Sequence, residues 1–314
     1  MSTQPGFLDP ELMRRMQALE LKAREVAEGV LMGIHHAPHR GRSIEFAEHK
    51  EYSPGDDIRR IDWKVYAKSD RFYIKEYEDD TNISSIILVD GSRSMAYGAD
   101  GAKDEDGNPV PSKLDRARLL ACALSYLLLN QSDAVGMGIM GERLTGFLPP
   151  RARQAHFHEI TKRLAGMEPL PGTDIARSLA DLVPMIKGRA MVIIFSDLLD
   201  DPEEMLRALR LLRSRRQEIV VFHVLDRDEI DFPFQRLSIF KDMEGPTRLT
   251  VDPRVIREEY KRHMDEFIAR VTMECDGRGI DYNLARTDRS PGRLLTSWLG
   301  RRQALSASGA RRTR

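Results

Sequence analysis

The sequence predicts an α/β protein: a doubly wound, mostly parallel sheet preceded by an N-terminal helix and a charged extension. Three observations carry this reading. The runs "ISSIILVD" (83–90), "AMVIIFSD" (190–197) and "EIVVFHVLD" (218–226) are short, apolar and rich in β-branched residues, as in strands buried on both faces. Helical segments of about 10–20 residues separate them, the alternation that builds parallel sheets. The 314 residues are ample for a real core in one or two domains.

The elements follow in order. Asp9 is an N-cap and Pro10 fits the first helical position. Leu12, Met16, Leu19, Ala23, Val26 and Val30 then form one apolar stripe, expected to pack on the protein's own body rather than on a partner helix. Residues 40–80 mix charges of both signs with single aromatics and aliphatics; Pro54 and Gly55 suit a type II turn, 57–63 a helical turn, and "RFYIKEYE" (71–78) a half-exposed strand. After the first buried strand come a surface loop (97–113), a long helix (113–130) containing the apolar run "LLACALSYLLL", and a strand at 134–140 with a hairpin return at 143–149. Helices at 152–166 and 174–187, the strand to Asp197, a helix at 202–215, the strand 218–226, a helix at 252–275, a last strand at 281–287 and a short closing helix complete the pattern. The expected organisation is 1–82 as helix and charged segment packed on the main domain, 83–303 as that domain, and 304–314 as a disordered tail, small, polar and basic.

Lys+Arg and Asp+Glu are each 49, so the net charge is zero and no global basic field for nucleic acid exists. Cys122 and Cys275 lie far apart and fit buried thiols in a reducing compartment. The longest apolar stretch is too short for a bilayer span, and the first residues lack a charged-then-apolar leader; the expectation is a cytoplasmic protein without a membrane span.

The chemistry concentrates at strand ends, where open α/β sheets bind ligands. The first buried strand ends in Asp90 and the second in Asp197, and the usual strand order makes them neighbours. Ser92 and Ser94 follow Asp90 at strict alternation, which in an extended loop points the side chains the same way, and Thr173 sits after Pro171 and Gly172 on a loop entering a helix. Two carboxylates and three hydroxyls make a hard-oxygen set, without thiolate or imidazole, suited to Mg²⁺ or Mn²⁺ with one position left open. Turn chemistry explains any one of these residues alone; Arg93 is read as loop surface and Met95 as packing.

Asp90-Gly-Ser92-Arg-Ser94, Thr173 and Asp197 together resemble the metal-ion-dependent adhesion site of von Willebrand factor A domains, with all five positions filled. The preceding segment, "EFAEHKEYSPGDDIRRIDWKVYAKSDRFYIKEYEDDTN" (45–82), resembles the signature of the bacterial domain-of-unknown-function-58 (DUF58) family, in which it precedes such a site. The resemblance runs from about residue 20 to the last strand. It implies a von Willebrand factor A-like, Rossmann-type domain that binds a partner's Asp or Glu through a metal ion. It also implies a partner: family members are typically encoded beside MoxR-type AAA+ ATPases. The expected function is thus a non-enzymatic adaptor, and the rival a metal-dependent phosphoester hydrolase in the same crevice.

Other signals do not hold. Gly136, Gly138 and Gly141 match Gly-x-Gly-x-x-Gly, but inside a strand, where close backbone packing accounts for them. No Walker-type phosphate loop exists, and Ser92 lacks a nucleophile-elbow frame. His35 and His39 are interrupted by Pro38, and the loop from Asp104 has Pro109 where a calcium loop needs glycine. The charged cluster Asp56, Asp57, Arg59, Arg60, Asp62 and Trp63 reads first as an internal ion-pair brace, with a binding face as the alternative.

Overall fold

The computed structural model describes residues 9–36, 46–51, 73–77, 84–98, 101–105, 107–199 and 202–309. The chain forms two units: Met1–Ile34 with Ile83–Arg314, and His35–Asn82. The helix as far as Ile34 belongs to the main unit, and residues 35–82 form the other.

Helix α1 (Pro10–His36) starts where expected, because the Glu11 N–H donates to Asp9 Oδ1 at 3.0 Å. Met16, Ala23 and Val30 of the predicted stripe are buried, joined by Ala27 one turn on from Ala23. Ala23, Ala27 and Val30 enter the main core, so the stripe packs on the protein's own body. In the second unit, β1 (Phe46–Glu51) pairs antiparallel with β2 (Tyr73–Tyr77), placing a strand where alternation called for one. The turn at Pro54, the cluster from Asp56 to Trp63, and His39 lie outside the described residues.

The main sheet contains β3 (Ser84–Asp90), β4 (Val135–Met140), β5 (Thr145–Arg151), β6 (Ala190–Ser196), β7 (Glu218–Leu225) and, further along the chain, β10 (Asp281–Arg286). Its order is β10-β7-β6-β3-β4-β5, and every pair is parallel except β4–β5. Strands buried on both faces need two covering layers. One face packs on α1, α2 (Lys113–Asn130), α3 (Gln154–Ala165) and the closing helix. The other packs on α4 (Ile175–Leu182), α5 (Pro202–Ser214) and the long helix before β10. Phe222 stacks on Phe195 at 4.8 Å and meets Trp298 edge-on at 5.6 Å, tying two central strands to the closing helix.

Close packing explains the glycines of β4. A Cβ on Gly136 would stand 2.9 Å from the Leu148 carbonyl oxygen, and one on Gly138 2.8 Å from Leu144 Cδ1.

Three stretches of the main unit differ from expectation. Helix α4 ends at Leu182 rather than near 187, because Pro184 cannot continue it and Val183–Met185 tightens into a 3₁₀ turn. The stretch 227–251, unassigned from sequence, holds α6 (Arg227–Asp231) and an antiparallel hairpin of β8 (Ser238–Lys241) and β9 (Arg248–Val251). After α7 (Pro253–Asp276) and β10, the closing helix α8 (Pro291–Gly309) is long, and it runs through residues 304–309, where a tail was expected.

The topology fixes the position of the site. From β3 the chain moves outward to β4 and β5, then returns to the other side of β3 as β6 and proceeds to β7 and β10. Strand order reverses between β3 and β6, and the crevice opens at their carboxyl ends.

Candidate functional site

The apolar course of β3 is buried to its end, which delivers Asp90 to the crevice at 1 % exposure. Gly91 follows because a Cβ there would meet Ile139, Leu170 and the Met140 carbonyl, each at 3.2 Å. The loop after it is stitched to the loop before α4: Leu170 N–H donates to the Gly91 carbonyl at 2.6 Å, and Ser92 bridges Leu170. Gly172 takes φ +69°, a turn conformation that suits glycine, and Asp174 caps α4 by accepting from Arg177 N–H at 2.7 Å. Thr173 is thus held between a fixed turn and a fixed cap. Asp197 directly follows β6 at 2 % exposure, and Leu198 after it is held at φ +55°, a strained setting for a bulky residue.

These loops bring all five predicted residues together. Ser92 Oγ and Ser94 Oγ are 2.9 Å apart, Ser94 Oγ donates to Asp197 Oδ2 at 2.7 Å, and Thr173 Oγ1 donates to Asp90 Oδ1 at 3.3 Å. The Ser92 N–H donates to Asp90 Oδ1 at 2.9 Å. The hydroxyls converge by a different route from the one expected: Ser94 opens a 3₁₀ turn (Ser94–Ala96) instead of continuing an extended loop. Arg93 faces solvent and Met95 is fully buried, as read from the sequence.

Three further residues complete the cluster. Ser196 Oγ donates to Asp90 Oδ2 at 2.5 Å. Lys113, wholly buried, places its ammonium 2.8 Å from Asp197 Oδ2 and 2.5 Å from Glu229 Oε1. Burial alone would lower the Lys113 pKa, but the Asp197 and Glu229 carboxylates outweigh it and hold the pKa above the ordinary value. Lys113 had a sequence signal that was missed: a lysine in the first turn of a helix, right after the N-cap Ser112, opposes the helix dipole and needs a local anion. Ser196 adjoins Asp197 in sequence, and Glu229 stands three residues after the N-cap Asp226 of α6, where it completes a capping box by accepting from the Asp226 N–H at 2.8 Å.

The electrostatics are unbalanced. Burial and then the neighbouring Asp197 charge raise the Asp90 pKa to about 6, against donors from Ser196 and Ser92 that partly offset them. Three carboxylates (Asp90, Asp197, Glu229) face one ammonium, so the cluster favours added positive charge. Among the described residues no three His, Cys, Asp or Glu side chains gather as a metal group. A cation here would be held by two carboxylates and the hydroxyls of Ser92, Ser94 and Thr173. That all-oxygen set fits a small hard ion.

The cluster floors a cavity of about 550 Å³. Its far wall is aromatic: Phe232, at φ +46°, stacks on Tyr260 at 4.3 Å and on Phe240 at 5.7 Å. His223 lies below, its Nε2 2.9 Å from the Asp197 carbonyl and its Nδ1 2.7 Å from Tyr282 Oη, and burial lowers its pKa to about 4.

Comparisons with known proteins extend these observations. The family model described as "Protein of unknown function DUF58" matches residues 48–268. An uncharacterized protein of Mycobacterium bovis is 28 % identical over 286 residues, covering 90 % of this chain and 86 % of that protein; one from Mycobacterium tuberculosis matches to the same extent. Among solved structures, the conserved hypothetical protein BatB from Bacteroides thetaiotaomicron aligns at 17 % identity and TM-score 0.45 over 70 % of this chain and 98 % of its own. An aerotolerance-related membrane protein from Bacteroides fragilis aligns at 17 % and TM-score 0.42 over 66 % and 93 %. Among the described residues no helix is long and apolar enough to cross a membrane.

Proposed function

The chain belongs to the DUF58 family, and on that premise we propose that it is a non-enzymatic, metal-dependent protein-binding adaptor built on a von Willebrand factor A-like domain. One observation carries the reading. Five oxygen-bearing side chains from three separate loops interlock at the switch point of a doubly wound sheet, under a cavity of about 550 Å³. Asp90, Ser92, Ser94, Thr173 and Asp197 would hold Mg²⁺ or Mn²⁺, with Ser196 and Lys113 orienting the two carboxylates from behind. When bound, the ion supplies positive charge that the neutral hydroxyls leave largely uncompensated. A partner's Asp or Glu is the natural complement. The aromatic wall would receive apolar surface beside that carboxylate.

The partner we propose is a MoxR-type AAA+ ATPase, on the family resemblance, with the adaptor acting in the cytoplasm in chaperone-like assembly. Two features favour binding over phosphoester hydrolysis. The His223 ring is engaged at both nitrogens, and the Lys113 ammonium is paired twice, so neither offers itself as a general base.

Manganese titration of the purified protein tests the site. We expect a single weak site, lost in Asp90→Ala; an unchanged titration in that variant would refute the assignment. Co-purification with the ATPase should fail in EDTA and in a folded Thr173→Ala variant, whereas a complex indifferent to chelator would remove the mechanism. Metal-dependent phosphoester turnover abolished by Ser92→Ala would install the hydrolase instead.

A further inference from the structure

The hairpin β8–β9 puts a carboxylate of the chain itself at the mouth of the site. Glu244, in the hairpin turn, accepts from Ser94 N–H at 2.8 Å and from Gly172 N–H at 3.1 Å. Those amides belong to the two loops that supply Ser94 and Thr173, so together they form a two-amide seat beside the five-residue cluster. Contacts within the turn hold Glu244 in place. Its N–H donates to Asp242 Oδ1 at 2.9 Å, and a Cβ on Gly245 would stand 2.7 Å from Asp242 Oδ2. Met243, the residue before Glu244, lines the aromatic cavity with Phe240.

Little else fastens the hairpin. Every residue from 241 to 250 is exposed, and Ile239 and Leu249 on its strands are 62 % and 60 % exposed. Its strands are four residues each, and Phe240 is the side chain that anchors it among Phe232 and Phe234. An isolated two-stranded hairpin is marginal in water, and segments with few buried contacts open at low free-energy cost.

We propose that the Ser94–Gly172 amide pair is a carboxylate-binding subsite, that Glu244 occupies it as an internal stand-in, and that the partner replaces it with an apolar residue followed by a glutamate. This deepens the preceding reading and rests on it for the identity of the site, but the seat is made of backbone amides and persists without metal. The occupant's chemistry is taken from what fills the place now: a carboxylate on two N–H donors, with an apolar side chain just before it directed to the aromatic wall. Competition follows by mass action. A seat covered about nine-tenths of the time weakens apparent affinity about tenfold.

The test uses the full chain and a blocked peptide, Lys-Asp-Met-Glu-Gly-Pro, copying residues 241–246, with its Glu-to-Gln counterpart as control. The amide resonances of Ser94 and Gly172 are followed in EDTA and in excess Mg²⁺. In Glu244→Ala and Glu244→Gln, both at an exposed turn, the glutamate peptide should shift both resonances saturably. It should bind at least about tenfold more tightly than to the unsubstituted protein, and the glutamine peptide should not bind. The proposal is overturned by equal binding of the two peptides, by equal affinity in variant and parent, or by no binding to either variant in both buffers. Saturable binding in EDTA together with a failed manganese titration would sustain the seat and dismiss the metal. A successful manganese titration without peptide binding would do the reverse.

Discussion

Lys113 is the residue on which the charge arrangement of the site turns. It lies wholly buried between Asp197 and Glu229. Removing one member of a buried ion cluster leaves uncompensated charge, so Lys113→Met should lower stability by about 3–5 kcal/mol. Urea denaturation at neutral pH measures this, and adding Glu229→Gln should recover part of the loss. An unchanged midpoint would show that the ammonium carries no such burden. At this scale the site was largely legible: Asp90, Ser92, Ser94, Thr173 and Asp197 announce themselves by side-chain type and by standing at element ends. Lys113 and Glu229 carry only helix-start signals, and neither signal names the other, because the two meet across 116 positions of sequence. Glu244 has no local mark at all; its role exists only where two loops present their N–H groups to it.

Elements with one strong periodic signal were found nearly in full, whereas those set by tertiary contact were not. The three buried strands and α1 follow from runs of apolar residues and a capped stripe. The β8–β9 hairpin escaped because its alternation is short and two of its apolar residues, Ile239 and Leu249, are exposed. A pattern without burial behind it does not stand out from a loop. The glycines of β4 illustrate the opposite case, in which a motif is present and its usual meaning is absent. Gly136 lies against the backbone of β5, and backbone yields less readily than the end of a side chain. Gly136→Ala should therefore cost about 1–3 kcal/mol, the range for overpacking a closed core. Thermal denaturation decides it, and a variant as stable as the parent would mean that β5 moves aside freely.

The main unit has a core layered on both faces of its six-stranded sheet, and the pH response should follow from what that core buries. Burial pushes the Cys122 thiol up to about 12 and the Cys275 thiol up to about 11, from an ordinary 9.0, and the Tyr260 hydroxyl up to about 12 from 10.0. Below pH 9 these groups are protonated in both the folded and unfolded chains and have no effect. Above it the unfolded chain sheds their protons first, so it binds fewer than the folded chain and stability falls as pH rises. The urea midpoint should drop steadily between pH 9 and 11, while the native thiols stay unreactive towards a disulfide reagent; a flat profile would contradict their burial. The packing of α1 was legible from its apolar stripe, whose Ala23 and Val30 enter the main core, whereas no periodic signal marks the close of its unit at Ile34. Time enters through the sheet order. Ser94 and Asp197 touch in the finished protein yet are 103 positions apart, on either side of an excursion through α2, β4, β5, α3 and α4. At about 5–20 residues per second, a ribosome needs roughly 5–20 s to pass from one to the other. A nascent chain long enough to have made β3 and β4 still lacks half of the pocket. Anything that recognises the assembled cluster therefore ignores truncated and half-made chains and engages only those whose central strands have already closed.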